Sequence, residues 1–159
     1  MAEQQFNEQD HLAWCRFMLA NSLALAIQQS GDGRSIPDAM RQRLSTAWAG
    51  LGAQGVEGAM LSMTLTLEAF GCQIKSSQIS PESSELIVEH FPGTGMLAGL
   101  EDRFEIVMGD EDWHSLIGID QSQADVIYDI LGAIADGAGV EFLREETGDG
   151  DVRLLVRAW

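Results

Sequence analysis

Positive charge is scarce in this 159-residue chain: nine Lys and Arg stand against 25 Asp and Glu, for a net charge of −16. A surface of that sign repels phosphate backbones and anionic lipid heads, which argues against general nucleic-acid binding and attachment to acidic membranes. It suits a dissolved cytoplasmic protein, or one whose partner is basic. Cysteine is scarce too. Cys15 and Cys72 are the only two, so neither a disulfide framework nor a paired-cysteine zinc site is available. Two reduced thiols in a reducing cytosol are expected. No apolar run reaches the ~18 residues of a membrane span. Met1-Ala2-Glu3-Gln4-Gln5 lacks a basic segment leading into an apolar one, so no signal peptide is read there. There is no GxGxxG after a strand, no phosphate loop and no GxSxG elbow. Repeats and second-domain linkers are also missing, and one globular domain over 1–159 is expected.

What is present begins with a strongly apolar helix from Asn7 to about Gln29. Asn7 or Asp10 can cap it. Leu12, Cys15, Leu19, Leu23 and Ile27 recur at spacings of three and four, which predicts the buried face. Phe17, Met18 and Leu25 widen the apolar surface, so burial on more than one side is expected, including by a second subunit in a homodimer. Ser30-Gly31-Asp32-Gly33 stops the helix. A second helix starts near Ser35-Ile36-Pro37 and carries Met40, Leu44, Ala47 and Trp48. A third spans about Val56 to Phe70, with Val56, Met60, Met63, Leu67 and Phe70 on one face and Gly71 as its end.

The period then changes. Cys72 to Ser76 reads as a strand, Ser80-Pro81-Glu82-Ser83 as a turn, and Glu85 to Phe91 as the return strand. Residues 96–119 are ambiguous, with Leu100 to Met108 readable as helix or strand. Asp120 with Gln123 forms a capping-box pattern that opens a helix to about Asp136. Gly137 and Gly139 end it. Val140–Glu146 and Asp151–Ala158 form a closing hairpin around Thr147-Gly148-Asp149-Gly150. The predicted class is α+β: N-terminal helices packed on an antiparallel sheet built from two hairpins (about 72–91 and 140–158), linked by a helix (about 121–136).

The last forty residues carry a pattern of their own. An amphipathic helix with an internal Leu131-Gly132 leads to Gly139-Val140-Glu141, a strand ending in Glu145-Glu146, then Gly148-Asp149 and the final strand Val152–Ala158. This resembles the C-terminal end of 4-vinyl reductase-type small-molecule-binding domains, whose relatives include haem-nitric-oxide-binding domains and transport-particle subunits. It is also similar to the L-2-amino-thiazoline-4-carboxylic acid hydrolase-like proteins. The resemblance covers about half the chain. It implies a small-molecule-binding domain, or else a small hydrolase or lyase, or a non-enzymatic interaction subunit, for which the charge of −16 suggests a basic protein partner. The cysteines such domains usually carry around the final hairpin are absent here. No cysteine zinc site therefore carries over, and the preceding helix has no histidine for haem.

Few side chains can carry chemistry. His11 and Cys15, four apart on the first helix, share a face and could offer two ligands to a metal that still lacks a third. Cys72 opens a strand after a helix-ending glycine and is a candidate nucleophile if a cation stabilises its thiolate. His90, beside Glu89, and His114, after Asp110-Glu111-Asp112-Trp113, are candidate general bases with carboxylates to orient them. The candidate catalytic set is thus Cys72, His90 and His114. The expected ligand-facing set is Met60, Met63, Phe70, Phe91 and Trp113, around an apolar or aromatic metabolite between the third helix and the sheet. Metal and cofactor remain unassigned.

Overall fold

The computed structural model of the chain describes residues 7–30, 35–36, 38–39, 42–43, 54–90, 118 and 120–159. In chain order the elements are α1 (Glu8–Ser30), α2 (Gly55–Ala69), β1 (Ile74–Gln78), β2 (Ser83–Glu89), α3 (Gln121–Ala124), α4 (Val126–Ala138), β3 (Glu141–Glu146) and β4 (Asp151–Arg157). The described residues among 35–43, where a second helix is predicted, are helical. Met40, Leu44, Ala47 and Trp48 lie outside the described residues, as do Phe91, Trp113, His114 and nearly all of the ambiguous segment 96–119.

The two hairpins lie in one four-stranded sheet of order β1-β2-β4-β3, antiparallel throughout. The predicted α+β class holds. Alternation along β2 and β4 creates the layer: Ser84, Leu86 and Val88 pair with Val156, Leu154 and Val152, and all six are buried. α2 packs on β2, β4 and α4, and α4 also covers β3. Met60, Met63 and Leu67 of α2 meet Ile127, Leu131 and Ile134 in a core closed to water. Each such side chain contributes on the order of 1.5–3 kcal/mol by burial.

The local signals act as expected at several ends. Asn7 and Asp10 cap α1 reciprocally: Asp10 N donates to Asn7 Oδ1 (3.0 Å), and Asn7 N donates to Asp10 Oδ2 (2.8 Å). Asp120 and Gln123 do the same for α3, at 2.8 and 3.0 Å. Several boundaries differ from expectation, among them the start of β2, at Ser83 rather than Glu85. The single predicted helix after Asp120 is interrupted at Asp125, where Tyr128 N bonds Asp125 O (3.0 Å) in a tight turn. The interruption leaves the Asp125 carboxylate accepting from Gln121 and Arg144. Gly137 lies within α4, and only Gly139, at φ 75°, ends it. β1 begins at Ile74 rather than Cys72, because Cys72 N is committed to Leu67 O (2.9 Å) at the end of α2.

The predicted buried face of α1 is corrected. Leu12, Cys15 and Leu19 are exposed; Ala13, Ala20, Ala24 and Ile27 are buried, with Phe17 and Leu23 half-buried beside them. Apolar side chains encircle this helix, so spacing alone does not choose its inner side. The alanine face permits the closest approach of the helix backbone to the core, and dense packing favours that face.

Candidate functional site

His90 follows β2 directly, at the end of the sheet where β3 and the α3–α4 junction meet. Five side chains surround it. Its Nε2 is 3.4 Å from Glu146 Oε1 and 3.9 Å from Asp125 Oδ1, the latter too long for a hydrogen bond. Its ring stands edge-on to Tyr128, with centroids 5.7 Å apart and planes at 74°. Arg144 lies over the same Tyr128 ring, its guanidinium carbon 4.0 Å from the centroid. Arg144 Nη2 also donates to Glu146 Oε1 (2.6 Å) and Asp125 Oδ2 (3.4 Å). Burial by itself would lower the Arg144 pKa, but Glu146 and Asp125 together raise it above its ordinary value. Its charge is therefore permanent.

The Gln121 amide links His90 to Asp125. Gln121 Nε2 donates to Asp125 Oδ1 at 2.9 Å, so the amide nitrogen faces this side. The same nitrogen is 3.2 Å from His90 Nδ1. Where Nδ1 accepts from Gln121, the neutral imidazole carries its proton on Nε2, toward Glu146. His90 in this state presents a donor rather than a base.

Cys72 is buried in the core cluster. Ile74 pairs with Val88, and Glu89 N bonds Gln73 O (2.9 Å). Cys72 and His90 each adjoin that bonded pair, Cys72 before Gln73 and His90 after Glu89. Met60 and Met63 are fully buried in the core and Phe70 is nearly so. His11 and Cys15 are exposed on α1. Among the described residues, no three His, Cys, Asp or Glu side chains are placed to hold a metal ion.

Sequence reasoning singled out His90 but missed the groups that surround it. Gln121, Asp125, Tyr128, Arg144 and Glu146 are brought in by the sheet order and by the break at Asp125. One signal was available: Arg144 is the lone cation in a strand with Glu141, Glu145 and Glu146. The chain matches no protein-family model and no curated protein. Among the described residues, no helix is long and apolar enough to cross a membrane.

Proposed function

We propose that the chain is a small-molecule-binding domain and that the His90–Arg144 cluster holds the polar end of its ligand. What supports this reading most is the convergence of an imidazole, a stacked guanidinium, an amide and two carboxylates at one half-buried end of the helix–sheet seam. The apolar or aromatic body of the ligand lies between α2 and the sheet, against Met60, Met63 and Phe70. Those methionines fill that space, and methionine repacks around a guest more readily than other core residues. A net charge of −16 favours neutral or cationic ligands over anions. Two cysteines outside any disulfide suit a reducing, cytoplasmic setting.

Thermal shift with aromatic, tetrapyrrole and lipid compounds tests the proposal. A true ligand at a hundred times its Kd should stabilise the fold by about 2.7 kcal/mol. His90→Ala should remove most of that shift while keeping the fold. If no compound in any class raises the melting temperature, the reading fails.

The Gln73–Glu89 hydrogen bond, which Cys72 and His90 adjoin, supports a second reading, a small hydrolase or lyase with Cys72 as nucleophile. It requires a ring nitrogen of His90 that carries no proton to face the Cys72 thiol. Alkylation of Cys72 should then depend on His90, falling at least tenfold in His90→Ala. A thiol equally slow in both proteins removes this reading.

A further inference from the structure

Arg144 on β3 and Arg153 on β4 satisfy their guanidinium groups to very different degrees. Arg153 engages Glu85 through Nε (2.7 Å) and Nη2 (2.5 Å), and Glu145 through Nη1 (2.8 Å). All three of its nitrogens are used. Arg144 uses one. Its bonds to Glu146 and Asp125 both leave from Nη2, so neither carboxylate takes the two-pronged grip that arginine offers. Nε and Nη1, with three N–H groups between them, have no acceptor among the described residues. Yet Arg144 is the more buried of the two, its side chain 28% exposed against 38%. Withdrawal from water makes unused donors more costly. Stability alone would favour the reverse, with the less solvated arginine the better satisfied.

The Arg144 guanidinium is also held in place. It stacks on Tyr128, whose ring His90 meets edge-on. Nη2 is tied to Glu146 of its own strand and to Asp125 at the α3–α4 junction. Its open N–H groups are thereby fixed before anything binds, and donors fixed in advance lose little freedom on binding. The neighbouring charges choose the acceptor. A ligand ammonium brings only donors and would meet a cation. A carboxylate or phosphate would be a third acid on one guanidinium, beside Asp125 and Glu146. An uncharged carbonyl oxygen has two lone pairs to offer and brings no charge. We propose that the polar end of the ligand is an uncharged carbonyl group, of an aromatic amide or ketone, accepting from Nε or Nη1 of Arg144. This rests on the cluster being a ligand site and adds the class of ligand it takes.

Benzamide, benzylamine and benzoate share one phenyl body and separate the head groups. Each is titrated into the full chain near neutral pH, with Kd read by calorimetry. Benzamide should bind about tenfold or more tightly than either charged probe, because the site's donors go unpaired with the wrong head group. That ranking needs no variant. Arg144→Lys keeps the positive charge but has no counterpart of Nε and Nη1, and should bring benzamide down to the level of the charged probes. Glu146→Gln removes one of the two acids and should raise benzoate affinity several-fold without weakening benzamide. Benzylamine or benzoate binding as tightly as benzamide overturns this inference and leaves the ligand reading standing. So does a benzamide preference that survives Arg144→Lys. If none of the three binds at about 10 mM, the inference also falls. The ligand reading then falls with it only if the aromatic, tetrapyrrole and lipid compounds fail as well.

Discussion

Gly132 and Gly139, seven residues apart, should respond to alanine with opposite signs. Gly139 ends α4 at φ 75°, with its N–H on Asp136 O and the following N–H on Ala135 O. Nothing lies within 4 Å of an added Cβ there, so the cost of Gly139→Ala is backbone strain alone, about 1 kcal/mol. Gly132 lies inside α4, where an added Cβ would meet Phe142 Cδ1 at an ordinary 3.6 Å. Gly132→Ala should gain roughly 0.5–1 kcal/mol from helix propensity. Urea midpoints with unchanged slopes check both. Single residues were legible where the signal is local. The Asn7 and Asp120 caps and the Gly139 terminus depend on neighbours three or four positions away. The surroundings of His90 were not legible, because Asp125, Arg144 and Glu146 lie 35 to 56 positions along the chain.

At the scale of elements, β4 carries two different faces. Inward it is aliphatic. Outward it is laced by ion pairs: Lys75 to Asp151 (2.6 Å), Arg153 to Glu85 (2.5 Å) and Glu145 (2.8 Å), and Arg157 to Glu141. The hydrogen bond to Asp151 raises the Lys75 pKa. The stability this adds is complete below the unfolded lysine value and is lost as pH rises through the higher folded one. The hydrogen bond from Arg157 lowers the Glu141 pKa, so that contribution is present above the unfolded carboxylate value and is lost as pH falls through the folded one. Lys75→Met should therefore flatten the loss of stability above about pH 10, read as urea midpoints from pH 9 to 11. Added salt should shrink the difference, since the Lys75 side chain is half exposed. Element types follow from period and punctuation, and α2, both hairpins and the α3–α4 segment all fall near their predicted places. The inner side of α1 does not follow. A helix with leucines on every side gives hydrophobic spacing no preferred direction, and its alanines settle the matter by letting it sit closer.

For the whole molecule, net charge is the dominant long-range term. Twenty-five acids against nine bases repel one another in the compact state. Raising NaCl from about 0.02 to 0.3 M should lift the melting temperature by a few degrees, although the ion pairs outside β4 weaken at the same time. A fall in melting temperature would mean that local pairs outweigh the global repulsion.

Local chemistry written along the chain was enough to specify the α+β class, the two hairpins, the capped helix starts at Asn7 and Asp120 and the acidic surface. Each depends on contacts between near neighbours or on a simple sum of charges. Packing alone chose which side of α1 faces inward, set β2 against β4, and brought His90 to Tyr128 and Arg144. Those outcomes depend on how distant segments fill one shared volume, and no window of a few residues contains that information.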